Sequence, residues 1–255
     1  MSIAFYTGVA GMQAFQEQLN VTSNNIANVN TYGYKTQRVS FRDLMYTKMN
    51  THKNYDDTGT EDGAEKSYDM VGHGVRVGSV DMLYQQSGFN TTLQTLDFAI
   101  DGSGLFAVDN NGTTEYTRNG AFDISIEGKK AYLVTDDGAY VLDGKGKHIE
   151  LTMDANGMPQ VDGLMDKLGM YSFKNPYGLV PTDGGRFLET TVSGQAVAAK
   201  AGDKDNTILQ GVLETSSVDL GTEMVNVIQA QRSFQMNSKI VTTADEIDQM
   251  INNLR

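Results

Sequence analysis

Catalysis needs reactive side chains brought together, and this chain offers few. It has no cysteine, which removes thiol nucleophiles, Cys-ligated metals and disulfides together. Its three histidines, His52, His73 and His148, are never four residues apart, so no HExxH-type zinc face exists. Gly102-Ser103-Gly104-Leu105-Phe106-Ala107 spells GxGxxA, the string that cradles a pyrophosphate where a strand turns into a helix. Strand-like residues flank it on both sides here, so it opens no helix. Asp154-Ala155-Asn156-Gly157 starts like a calcium loop but lacks the distal glutamate and reads as a turn. No phosphate-loop string and no GxSxG is present. With 32 acidic residues, carboxylate pairs occur almost anywhere, and spacing singles out no glycosidase pair. The expectation is no enzyme: no catalytic residue, no cofactor and no metal.

Charge narrows the partners. Twenty Lys and Arg against 32 Asp and Glu give a net charge of −12, which repels phosphate backbones and anionic lipid. No stretch approaches the ~20 apolar residues of a membrane span. Nucleic-acid binding and membrane insertion are therefore not expected. The first residues also lack the basic-then-apolar order of a cleavable secretory signal. At 255 residues and 39% apolar, the chain can bury a sizeable core.

The elements that would position any site follow from glycine and proline. The three prolines, Pro159, Pro176 and Pro181, all lie in the middle, and neither Gly nor Pro occurs after Gly221. Both ends can therefore be long helices. At the first end Phe5, Met12, Leu19 and Ile26 repeat every seven residues, a seam suited to a partner helix. At the other, the pattern runs through Val227 and Phe234 and slips by one residue to Ile240 and Ile247. Such a slip is the drift expected when a 3.6-residue helix carries a 3.5-residue pattern.

Between the ends the texture changes twice. Thr47 to Asp69 is polar, with almost no aliphatic residue, and reads as an extended connector. From Val75 to about Leu213, short alternating segments are divided by Asx-Gly pairs, among them Asp101-Gly102, Asn111-Gly112, Asn119-Gly120 and Asp137-Gly138. Asx-Gly supports the positive φ of tight hairpins, so this region is read as an antiparallel all-β domain. The fold class is α+β: long N- and C-terminal helices pairing as a coiled-coil-like inner layer, with a central antiparallel all-β domain. The expected division is 1–30 helix, 31–74 connector, 75–215 β domain and 216–255 helix.

The residues that remain unexplained are polar ones at the end of the first helix. Four asparagines within seven positions, Asn24, Asn25, Asn28 and Asn30, compete for backbone bonds and are costly in a helix. A C-cap before Gly33 is one explanation. Amides bonding across a helix–helix contact is the other.

The run Ser23-Asn24-Asn25-Ile26-Ala27-Asn28-Val29-Asn30-Thr31 with Gly33-Tyr34-Lys35 resembles the start of the bacterial flagellar axial proteins, the rod, hook and hook–basal-body family. A second resemblance is Leu96-Asp97-Phe98-Ala99-Ile100-Asp101-Gly102-Ser103-Gly104-Leu105-Phe106, followed by Tyr116-Thr117-Arg118-Asn119-Gly120-Ala121-Phe122. The third is Glu214-Thr215-Ser216-Ser217-Val218-Asp219, then Glu223-Met224-Val225 and Gln231-Arg232-Ser233-Phe234. Gln37 to Leu44 and Gly72 to Val77 look most like the distal rod or the hook, and the modest length favours the rod. Tyr34 stands where the family often has Phe.

The resemblance implies a structural subunit that polymerises helically with copies of itself and neighbouring rod or hook subunits. It also implies passage through the flagellar type III export apparatus and a place in the flagellar basal body outside the cytoplasm. Asn24, Asn25 and Asn28 are expected as inter-helix contacts. Phe5, Met12, Leu19, Ile26, Val227, Phe234, Ile240 and Ile247 are expected as the seam. A hook subunit is the nearest alternative. An acidic carbohydrate-binding or hydrolytic β protein with helical arms is the remote one, weakened by the absence of tryptophan.

Overall fold

The computed structural model describes residues 3–48, 70–128, 130–153, 160, 163–199 and 206–254. Residues 49–69 of the connector, with His52, and the Asp154–Gly157 string lie outside them. The chain forms two compact units: Met1–Ser23, Arg38–Asp81 and Met224–Arg255 make the first, Asn24–Gln37 and Met82–Glu223 the second.

The first unit is built on the N-terminal helix, Ile3–Ala27, and the C-terminal helix, Leu220–Asn253, each of which runs on into the second unit by a few residues. The two helices pack where small residues let them. A Cβ on Gly8 would meet Val241 Cγ2 at 2.8 Å and the Asn237 carbonyl at 3.3 Å, and one on Gly11 would meet Asn237 Oδ1 at 2.8 Å. Glycine costs about 1 kcal/mol relative to alanine in a helix interior, and here the close approach offsets it.

The line of closest approach is not the heptad of large residues. The buried residues of the N-terminal helix are Gly8, Gly11, Ala14, Val21, Thr22 and Asn25, whereas Phe5, Met12, Leu19 and Ile26 are only half-buried beside that line. On the C-terminal helix Glu223, Ala230 and Ala244 are buried, Val227 and Phe234 are half-buried, and Ile240 and Ile247 are exposed. A heptad of large apolar residues is conspicuous in a sequence. Close approach selects small residues instead, and bulk moves to the flanks.

Beside the helices lie β1 (Gln37–Asp43), β2 (Tyr46–Lys48), β3 (Met70–Gly72) and β4 (Val75–Met82). β1 pairs with β4, and β2 pairs antiparallel with β3. Phe41 of β1 packs its ring 5.6 Å from that of Phe15. Val75 to Asp81, which the turn pattern assigns to the β domain, thus belong to the first unit.

The second unit begins with β5 (Phe89–Thr91), β6 (Phe98–Gly102), β7 (Leu105–Asn110) and β8 (Thr113–Thr117). It continues with β9 (Phe122–Glu127), β10 (Lys130–Thr135), β11 (Tyr140–Val141) and β12 (Glu150–Leu151). β13 (Met170–Ser172), β14 (Val180–Thr182), β15 (Arg186–Leu188), β16 (Val197–Ala199), β17 (Asn206–Gln210) and β18 (Val212–Glu214) complete it. Ten of these form one sheet along β12-β10-β11-β7-β8-β15-β14, with β9 on β10, β13 on β7 and β16 on β13. β17 pairs with β6 and β18 with β5, and all these pairs are antiparallel.

β7 shows why the sheet holds together. Side chains alternate in direction along a strand, so Phe106 and Val108 enter one apolar cluster with Phe98, Phe122 and Leu133. Leu105 and Ala107 enter another with Tyr116, Leu179 and Phe187. The β7–β8 loop is the two-residue hairpin that Asn-Gly predicts, with φ of 52° at Asn111 and 87° at Gly112. Asn119-Gly120 is different. Its glycine has no positive φ, and a Cβ there would lie 1.8 Å from the Phe98 carbonyl oxygen. The dipeptide looks like a turn signal but is a packing requirement.

Candidate functional site

The most distinctive chemistry in the second unit is a buried cluster of charges drawn from the three recognised stretches. Glu214, at the end of β18, is 2% exposed and accepts from two cations. Lys35 Nζ donates to its Oε1 at 2.7 Å, and Arg118 Nε donates to its Oε2 at 2.7 Å. All three groups of the triad have further partners. Lys35 Nζ reaches the Gln85 carbonyl at 2.8 Å, Arg118 donates to the carbonyls of Gly102 and Gly104, and the Ser87 amide donates to Glu214 Oε1 at 2.9 Å. Such partners are what make a buried triad tolerable, because each ion costs several kcal/mol to desolvate. Burial lowers the Lys35 pKa, against the opposing pull of Glu214. The backbone closes round the same cluster. Gly33, at φ 70°, donates its amide to the Glu214 carbonyl at 2.9 Å, and a Cβ there would lie 2.7 Å from the Arg118 carbonyl carbon.

A second polar cluster sits where the N-terminal helix ends. Asn25 is 1% exposed. Its Nδ2 donates to the Gln37 carbonyl at 2.8 Å and to Glu223 Oε1 at 3.2 Å, and its Oδ1 accepts from the Gln37 amide at 3.0 Å. Tyr34 donates its hydroxyl to Asn25 Oδ1 at 3.1 Å and accepts from Asn24 Nδ2 at 3.2 Å. Burial, then the nearby Glu223 carboxylate, raises the Tyr34 pKa. Of the three asparagines expected between helices, Asn25 reaches the C-terminal helix through Glu223. Asn24 and Asn28 do not: Asn28 donates back to the Asn24 carbonyl at 2.9 Å and accepts from Thr31, which caps the helix end. A helix leaves its last carbonyls unpaired, and an amide four residues on is well placed to take one.

Asn25 therefore belongs to the folding of the second unit itself. Asn25→Ala leaves the Gln37 amide and carbonyl and the Glu223 carboxylate short of a partner. We expect it to lower that unit's unfolding free energy by about 1–3 kcal/mol, read by urea denaturation. Unchanged stability would show that water replaces the amide at no cost. Asp219 caps the C-terminal helix: its carboxylate accepts from the Thr222 side chain at 2.5 Å and from the amides of Thr222 and Gly221 at 3.3 Å. These bonds lower the Asp219 pKa, so the cap holds above the ordinary carboxylate range and weakens as pH falls through the lowered value.

Alkaline pH acts through other residues. Burial pushes Tyr84 and Tyr116 from 10.0 up to about 12. The folded unit keeps these protons where the unfolded chain has lost them, so stability falls as pH rises from about 10 towards 12. Tyr84 Oη is buried and has no hydrogen-bond partner among the described residues, while its ring packs on Tyr177 and Phe187. Tyr84→Phe is therefore expected to stabilise the protein by about 1 kcal/mol and to flatten the alkaline limb in pH-resolved thermal unfolding. A loss of stability would mean that the hydroxyl has a partner in solution.

Among the described residues no group of three His, Asp, Glu or Cys side chains could hold a metal. GxGxxA runs from the last residue of β6 through a two-residue turn into β7, and the carbonyls of its glycines are taken by Arg118. What this arrangement does is join residues 33–37, 85–87, 118 and 214–223 into one rigid node. Lys35, Gly33, Arg118 and Glu214 carry no sign of a shared role in the sequence beyond lying in the recognised stretches.

The same stretches are what known proteins share with this chain. Residues 5–35 match the model of the flagella basal body rod protein, 99–161 that of the flagellar hook protein FlgE/F/G D1 domain, and 209–254 that of the flagellar basal body rod FlgEFG protein C-terminal. The flagellar basal-body rod protein FlgG of Bacillus subtilis is 38% identical over 99% of this chain and 98% of its own length. The chain belongs to the flagellar basal-body rod family. The FlgG protein of Caulobacter vibrioides is 34% identical over 99% of both chains. The flagellar hook protein FlgE of Borreliella burgdorferi is 35% identical over half of this chain but 28% of its own length. Each family match thus contains a piece of the buried node or borders it: Lys35 closes the first, Arg118 lies in the second, and Glu214 and Glu223 lie in the third.

Proposed function

We propose that this chain is a structural subunit of the flagellar basal-body rod, most like the distal rod, polymerising helically into the shaft that transmits torque. The observation that carries this is end-to-end similarity to rod proteins, where a hook protein is matched over little more than a quarter of its length. The physical picture supports it. Two long helices pack at small residues and leave large apolar side chains exposed, including Ile240, Ile247, Ile251 and Leu254. Such a surface is covered when subunits stack, and open-ended contacts between copies make a filament and not a closed ring. Its partners are then copies of itself and the neighbouring axial subunits. Its route is the flagellar type III export apparatus, and its place is the basal body.

The test is a strain lacking this chain, complemented with an epitope-tagged copy, from which hook–basal bodies are purified and imaged. Label confined to the rod and loss of the rod in the deletion are expected. Label along the hook would move the assignment to a hook subunit. Intact basal bodies without the chain would end it.

A further inference from the structure

Three Asn-Gly pairs stand in the sequence, and Asn111-Gly112 and Asn119-Gly120 lie among the described residues. Asparagine before glycine is a chemically labile pair, because glycine has no side chain to keep its nitrogen from the preceding carboxamide. That nitrogen loses its proton and attacks the asparagine Cγ. The new C–N bond replaces Cγ–Nδ2, ammonia leaves with the proton, and water then opens the cyclic imide at either carbonyl to give aspartate or isoaspartate. The fold treats the two pairs differently. Gly120 is buried, and a Cβ on it would already lie 1.8 Å from the Phe98 carbonyl oxygen, which leaves an imide ring no space. Asn119 Oδ1 is also engaged, accepting from the Ala121 amide at 3.1 Å. Asn111 and Gly112 are exposed at the tip of the β7–β8 hairpin, with nothing within 4 Å of a Gly112 Cβ, so water and base reach them. The Gly112 amide is nevertheless held: it donates to Asp109 Oδ1 at 2.8 Å. The other oxygen of that carboxylate pairs with His148 Nε2 at 2.9 Å, and the His148 ring stacks on Tyr140 with 4.7 Å between centroids.

We propose that Asn111 is a deamidation site and that Asp109 guards it while the second unit is folded. The nitrogen that must attack is the one whose proton Asp109 holds. Removing that proton sets an amide anion against a carboxylate, two like charges in contact. Loss of a charge-assisted hydrogen bond on the way to the transition state amounts to a rate factor of about ten or more. In the unfolded chain no sheet fixes Asp109 against the turn, and the guard is gone. Isoaspartate then puts an extra backbone carbon into a two-residue turn that sets Asn110 opposite Thr113, so the altered chain cannot rebuild this hairpin. Modification therefore falls on chains that have not folded, and it keeps them from folding.

The test holds the full-length chain in mildly alkaline buffer, with and without urea, and follows aspartate and isoaspartate at residues 111 and 119 by peptide mapping. Asn111 is expected to react at least about tenfold more slowly in the folded chain than in urea. Asp109→Ala, without urea, should speed Asn111 about tenfold and leave Asn119 unchanged. Asn119 reports global opening in the same molecules, because it can react only when its unit unfolds. Equal rates at Asn111 with and without urea overturn the guard. So does an Asp109→Ala chain that reacts no faster, or one in which Asn119 accelerates in step. When chains aged in urea are refolded, isoaspartate at residue 111 should collect in the fraction that fails to regain its sheet. An even share between the two fractions overturns the block to folding.

Discussion

Replacing Glu214 by glutamine should lower the unfolding free energy of the second unit by about 3–5 kcal/mol, because two buried cations lose the carboxylate between them. Lys35 and Arg118 are 3% and 4% exposed, so water cannot take its place without opening the node. The substitution keeps the size of the side chain, and what it removes is charge. Thermal unfolding of the full chain, followed by sheet circular dichroism, measures the loss. Removing the charges in pairs should recover part of it: Lys35→Met in the Glu214→Gln background leaves one buried cation, not two. Arg118 will not be replaced as cheaply, since its guanidinium also satisfies the carbonyls of Gly102 and Gly104. A change under about 1 kcal/mol for Glu214→Gln would show that the triad contributes geometry and not stability.

Gly120→Ala should be nearly as severe, and for an unrelated reason. The added methyl would lie 1.8 Å from the Phe98 carbonyl oxygen and 3.1 Å from the Phe106 ring. The clash is with backbone, so no side chain can rotate away. The Phe98 amide donates to the Gly120 carbonyl at 3.0 Å, and relief of the clash separates that pair and draws β6, with its core residues Phe98 and Ile100, away from Phe106 and Phe122. At least about 3 kcal/mol is expected, the upper end of overpacking costs. Gly112→Ala is the control: its Cβ would meet nothing within 4 Å, so it pays only for its positive φ. Equal losses in denaturant midpoint for the two variants would mean that close approach at Gly120 is relaxed in solution.

Both results bear on what a rod subunit needs. A shaft that carries torque must not yield inside the subunit, and the node ties together the residues that follow the first long helix and those that lead into the second. Glu223 is held by Asn25, Lys35 by Glu214, and the Leu83 amide by the Thr36 carbonyl at 2.9 Å. The bonds are distributed over positions far apart in sequence, so weakening one leaves a cooperative set in place.

Much of this was legible in the residues. The absence of Gly and Pro after Gly221 set the C-terminal helix, which begins at Leu220, because nothing in that stretch interrupts the hydrogen-bond ladder. Asn111-Gly112 set its hairpin, because the turn's φ angles are a local property of two residues. The family was legible as well, since the stretches that carry it are contiguous in sequence. Other features depend on distance and not on order. The large apolar heptad pointed to Phe5, Met12, Leu19 and Ile26, yet helix contact is decided by how near two backbones can come, and that favoured Gly8, Gly11 and Ala14. Asn119-Gly120 carried a turn signature, but its glycine answers to a carbonyl twenty-two residues earlier. Lys35, Arg118 and Glu214 each look like an ordinary surface charge when read alone. The sequence by itself determined the elements and the lineage, because propensity, turn chemistry and motif are local. The tertiary structure alone decided which charges are buried together and which glycines are irreplaceable, because desolvation and steric contact are properties of neighbours that the chain brings in from afar.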